Sequence, residues 1–97
     1  MLTFEKVLSV FSDYLSEDTR YEVLVSSRGH TVMEWDDKTQ NWEGATLCRT
    51  PEELKDTLLD VYADYLGYRT TLGRRSMTEE ERQTISAQVD AMAKQMQ

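Results

Sequence analysis

The chain has 97 residues, enough for one hydrophobic core and too few for two, so a single domain is expected. Eighteen acidic against eleven basic residues give a formal net charge of −7. That charge repels nucleic acid phosphates and anionic lipid surfaces, which disfavours direct nucleic acid binding and membrane contact. Cys48 is the one cysteine, so no internal disulfide can form. The opening Met1-Leu2-Thr3-Phe4-Glu5-Lys6 lacks the basic-then-apolar build of a signal peptide, and no apolar run approaches the roughly 20 residues needed to span a bilayer. A soluble, cytoplasmic protein is the expectation.

In chain order, Phe4, Val7, Leu8, Phe11, Tyr14 and Leu15 recur at spacings of three and four and predict one helix, which Thr3 can cap. Ser16-Glu17-Asp18-Thr19 ends that periodicity. Over residues 20–26, Tyr21, Val23 and Val25 alternate with Glu22, Leu24 and Ser26, the period of a strand. Ser27-Arg28-Gly29 supplies a turn with a glycine for positive φ, and residues 30–35 resume a β-prone run, so a hairpin follows. Residues 36–41 form a second polar turn, and residues 42–48 the third strand, in which Gly44 points to a bulge or a ragged edge.

The sharpest local signal is Thr50-Pro51-Glu52-Glu53: a capping threonine, proline at the first helical position and a glutamate three residues on. The second helix starts there, buries Leu54, Leu58, Val61, Tyr62, Tyr65 and Leu66, and stops between Gly67 and Gly73. Arg74-Arg75-Ser76-Met77 is a linker, after which Thr78-Glu79-Glu80-Glu81 repeats the capping box and opens a third helix. Its stripe of Ile85, Val89, Met92 and Met96 is narrow enough to dock but not to anchor a core.

The order αβββαα predicts an α+β fold: a three-stranded antiparallel sheet packed by two helices on one face, with a C-terminal accessory helix. Residues 1–75 would form the core domain, and residues 76–97 a helix packed on it or appended to it. Alternation sets Tyr21, Val23 and Val25 on one side and Leu24 on the other, and it sets Met33 and Trp35 against Val32 and Glu34, so neither side is cleanly polar. The expectation is that the third helix or a long side chain covers the second face; the alternative is that it meets a partner.

Little in the chain suggests catalysis. A nucleophile and base would have to be Cys48 and His30, yet His30 lies beside a turn, Cys48 ends a different strand, and no donor-rich loop is present to hold an oxyanion. The meander could bring their strand ends together, but the pair is expected to do no chemistry. One histidine and one cysteine are too few for a closed zinc shell, no calcium-type acidic loop exists, and the four glycines are scattered singly, so neither a metal nor a phosphate-bearing cofactor is expected.

The acidity itself is patterned. At 100° per residue Glu53, Asp56, Asp60 and Asp64 fall within an arc of about 80° on the second helix, away from Leu54, Leu58, Val61 and Tyr65. Like charges at that spacing cost a helix a few tenths of a kcal/mol per pair. A second cluster, Glu34, Asp36, Asp37 and Glu43, gathers about the second turn beside Trp35 and Trp42. Residues 1–66 hold fourteen acidic and six basic groups, net −8, and residues 67–97 four and five, net +1. An exposed helix face needs polar residues, and aspartate is one choice. The functional reading is that successive carboxylates imitate the roughly 6 to 7 Å phosphate spacing of a nucleic acid strand and occupy a basic groove on a partner. Trp35 and Trp42 would be interface anchors, although tryptophans in strands also serve as core.

The stretches Gly29-His30-Thr31-Val32-Met33-Glu34-Trp35-Asp36, Thr50-Pro51-Glu52-Glu53-Leu54 and Leu59-Asp60-Val61-Tyr62-Ala63-Asp64-Tyr65 resemble small accessory proteins carried on conjugative elements of Gram-positive gut bacteria. Some proteins in that neighbourhood are anti-CRISPR inhibitors, and the resemblance implies a cargo role in protecting incoming DNA. It carries no binding motif onto particular positions. The expected partner is a protein with a basic surface, a CRISPR effector or another nuclease. The alternative is a non-catalytic structural or regulatory module, assembling through its uncovered sheet face or third helix, with a homodimer as one form.

Overall fold

Local capping chemistry accounts for where the helices begin. In the computed structural model, which describes residues 1–97, the elements are α1 (Phe4–Val10), α2 (Ser12–Glu17), β1 (Tyr21–Ser26), β2 (Gly29–Asp36), β3 (Asn41–Cys48), α3 (Pro51–Thr71) and α4 (Glu79–Lys94). The hydroxyl of Thr3 accepts the Lys6 N–H at 3.1 Å, and that of Thr50 accepts the Glu53 N–H at 3.1 Å, with Pro51 in the first turn. Thr78 and Glu81 close a reciprocal capping box on α4. α3 runs through Gly67 and ends where Leu72 turns left-handed at φ 54°, followed by Gly73 at φ 70°.

The first predicted helix is interrupted at Phe11, whose φ of −91° and ψ of 4° separate α1 from α2. Ser12 Oγ donates to the Ser9 carbonyl and Ser16 Oγ to the Ser12 carbonyl, both at 3.0 Å, and such back-bonding hydroxyls bend helices. The apolar stripe survives the bend, since Val7, Phe11 and Tyr14 are all buried.

The strands form an antiparallel sheet in the order β1-β2-β3. Directly opposed residues share a face, so Val23, Val32 and Thr46 lie in one row and Val25, His30 and Cys48 in the next. α1 and α3 cover the centre of this inner face, where Val32 and Cys48 are buried, and leave Val25 and Thr46 on the outer strands exposed. Val7 and Phe11 from α1 and Leu54 and Leu58 from α3 meet Val32 and Cys48 in one cluster, and Phe4 stacks on His30 with ring centroids 4.0 Å apart. Between Glu34 and Trp35 the register shifts: Glu43, next to Gly44, is the extra residue, and Trp42 falls opposite Trp35.

The C-terminal helix departs from expectation twice. It packs on α3 and leaves the second face of the sheet bare. The chain reversal at Leu72 and Gly73 sends α4 back along α3, and its end reaches the N-terminus, where Met96 borders Met1, Leu2 and Lys6. Met96 is thereby buried in the central cluster, so residues 76–97 contribute to the core as well as docking on it. The molecule is 18 Å deep along its shortest axis, the depth of one helical layer on one sheet.

Candidate functional site: a continuous acidic tract

Because α3 buries Leu54 and Leu58 completely, its periodicity turns Glu53, Asp56, Asp60 and Asp64 outward, and all four are exposed. Glu53 also serves the fold, as its Oε1 accepts the Arg49 N–H at 3.0 Å. Asp56, Asp60 and Asp64 take no hydrogen bond and no ion pair. The ion pairs of the molecule are Glu17–Arg69, Glu81–Arg75 and Glu79–Arg82, and none draws on this flank.

The second cluster is held in shape by its turn. Asp36 Oδ1 accepts the Lys38 N–H at 2.9 Å, Asp37 Oδ1 accepts the Trp35 indole N–H at 3.0 Å, and Gln40, left-handed at φ 55°, donates its amide to the Asp37 carbonyl at 2.7 Å. Trp35 and Trp42 meet edge to face, 5.1 Å between centroids. Glu34, Asp36, Asp37 and Glu43 open onto a cleft of about 630 Å³ that is also lined by Glu17, Asp18, Arg20, Trp35, Lys38 and Tyr68. Asp18, Arg20 and Tyr68 continue into a crevice shared with Asp64 and Tyr21.

The two acidic groups, separate in sequence, are therefore one tract. It runs down the outer flank of α3 to Asp64 and on past the buried Asp18, where the Arg20 guanidinium lies over the Tyr68 ring, to the β2–β3 turn. Sequence reading missed its junction: Glu17 and Asp18 register there only as a helix stop, and Tyr68 only as part of the stretch between Gly67 and Gly73 where the second helix is expected to end. The acidic run at 17–18 was the available signal, but only tertiary packing sets it beside Glu34.

Asp18 anchors this junction. Its buried carboxylate accepts the Tyr14 hydroxyl at 2.7 Å and the Arg20 N–H at 3.3 Å. Burial, and then the hydrogen bond to Asp18, push the Tyr14 hydroxyl far above the usual phenol range. Tyr21 is raised as well, by burial first and then by the charge of Glu34 across the β1–β2 pair.

The structure brings His30 and Cys48 together, the case in which the strand ends of the meander meet. The β2–β3 register sets them directly opposite each other on the inner face, a position that implies a Cα separation of about 5 Å. No hydrogen bond joins their side chains: Cys48 is fully buried, its Sγ lies 3.5 Å from Thr57 Oγ1 and 3.8 Å from the Thr46 carbonyl, and His30 Nδ1 has no partner. No three His, Cys, Asp or Glu side chains are arranged to hold a metal ion, and no helix is long and apolar enough to cross a membrane.

Comparison of the chain with protein-family models, with curated proteins and with solved structures returns no match.

Proposed function

We propose that this protein is a non-catalytic inhibitor that occupies a basic groove on a nucleic-acid-handling defence effector, in the manner of an anti-CRISPR protein. The observation that carries the reading is the acidic tract: three aspartates in succession on α3, without ion pair or hydrogen bond, leading into a cleft walled by six carboxylates and two basic side chains. Neighbours on the row stand about 5 to 6 Å apart at Cβ, near the spacing of phosphates along a strand, so a groove lined with lysine and arginine would gain the same contacts from either ligand. The resemblance of β2 and α3 to accessory proteins of conjugative elements supports a cargo role in a mobile element.

The test is protection of a targeted plasmid in cells carrying a CRISPR effector nuclease. Wild type is expected to protect, and Asp56→Lys/Asp60→Lys/Asp64→Lys to lose protection while keeping its circular dichroism spectrum. Protection that persists in the triple variant removes the phosphate-mimic mechanism. The bare outer face of the sheet favours a second reading, a non-catalytic interaction module that binds a protein partner through that face. A targeted plasmid left unprotected by wild type points to this reading, and a dimer in sedimentation at micromolar concentration makes the partner a second copy.

A further inference from the structure

Sheets in stable domains bury each apolar face against another layer, and here one face has no layer. On it stand Leu24 and Leu47 in the row through Thr31, Met33 in the middle, and Trp35 opposite Trp42 at the far end. Leu24 is 46% exposed, Leu47 37% and Trp42 36%, values that mark an open surface. Glu22 lies on the same face and Glu43, Asp36 and Asp37 at its aromatic end, where Arg20 and Lys38 also stand; none of the four carboxylates is ion-paired, and the border keeps a net negative charge.

We propose that this face docks one amphipathic helix of a partner protein, with apolar residues against Leu24, Met33, Leu47 and the tryptophan pair and with lysine or arginine along its flanks. Three strands about 4.8 Å apart make a face about 14 Å wide, which accommodates a single helix of about 10–12 Å diameter. The charge of the border selects basic flanks. A second copy of this chain fits poorly on both counts. The face offers roughly 300 Å², against about 800 Å² per partner in a standard interface, and it would bring −7 against −7. Trp35, Asp36, Asp37 and Glu43 are shared with the cleft end of the acidic tract, whereas the α3 row lies on a different surface and plays no part in this docking.

Both tryptophans of the chain sit on the face, so intrinsic fluorescence reads its occupancy directly. The probe is a tryptophan-free leucine–lysine amphipathic helix of about 18 residues, about 27 Å long and matched to an eight-residue strand of about 26 Å. A saturable blue shift is expected, at least tenfold weaker for the same peptide with glutamate flanks and for a permuted peptide of equal composition without helical periodicity. Leu24→Glu/Leu47→Glu, at exposed positions, should weaken binding more than tenfold although it adds negative charge. Leu24→Ser/Leu47→Ser gives the same loss if the glutamates disturb the fold. Asp56→Lys/Asp60→Lys/Asp64→Lys should bind within about twofold of wild type, so the docking face and the groove-binding reading fail separately. Equal binding of the permuted peptide, undiminished binding by both leucine variants, or loss in the α3 variant overturns the proposal. So does a blue shift that grows with protein concentration alone and sediments as a dimer.

Discussion

Carboxylates at the helix junctions and carboxylates on the outer flank of α3 are treated in opposite ways. Asp18 is buried and accepts a tyrosine hydroxyl and a backbone N–H. Glu81 receives both terminal nitrogens of Arg75, at 2.7 and 2.8 Å, and the Thr78 N–H at 2.9 Å. Asp56, Asp60 and Asp64 receive nothing from the protein. A charge that serves the fold is surrounded by donors; a row of charges without donors adds self-repulsion and leaves its hydrogen-bonding capacity to water or to a partner. The flank is thus a part of the acidity that the hydrogen bonds and ion pairs of the fold do not explain.

Removing the donor at the buried junction is the strongest way to test that contrast. Tyr14→Phe deprives Asp18 of its 2.7 Å hydrogen bond in a buried setting and is expected to cost about 1–3 kcal/mol in urea unfolding. Tyr65→Phe, which loses a 3.2 Å bond to the exposed Glu17, should change stability far less. Equal effects would mean that the junction is no better organised than the surface.

The Arg75–Glu81 corner gives a pH signature of intermediate size. The Arg75 guanidinium, and next the Thr78 N–H, hold the Glu81 carboxyl at about 2, down from 4.5. A depressed carboxyl stabilises the folded state fully above its ordinary pKa, and that contribution is lost as pH falls from 4.5 towards about 2. Wild type should therefore exceed Glu81→Gln in urea midpoint at pH 6, with the gap closing by about pH 2. Thr78→Ala, which removes the other half of the capping box, should cost about 1 kcal/mol at neutral pH.

The smallest effect has the opposite sign. Asp56→Asn/Asp60→Asn/Asp64→Asn relieves the three successive like-charge pairs of the row, beginning with Glu53–Asp56, and should raise stability by a few tenths of a kcal/mol for each, with a weaker salt dependence than wild type. A loss of stability would show that the flank serves the fold after all and would remove the contrast.

Most helix starts were legible because they depend on residues three apart: Thr50 with Glu53 and Thr78 with Glu81 form the predicted contacts. The hairpins were legible from Gly29 and the polar turn at 36–41, and the bulge from Gly44. The break at Phe11 was not, because the hydroxyls of Ser12 and Ser16 act against a stripe that reads as continuous. Met96 in the core was not legible either, since a narrow stripe carries no record of which surface receives its last turn.

By itself the sequence determined the αβββαα order, the net charge of −7 and the outward arc of Glu53, Asp56, Asp60 and Asp64, all consequences of composition and of helical or strand period. Tertiary structure alone decided that His30 faces Cys48, that α4 lies on α3 and leaves Leu24, Trp42 and Leu47 open, and that Asp64 joins Glu34 and Asp36 through Asp18 and Tyr68. Strand register and layer order depend on contacts between residues distant in the chain, and no local pattern encodes those contacts.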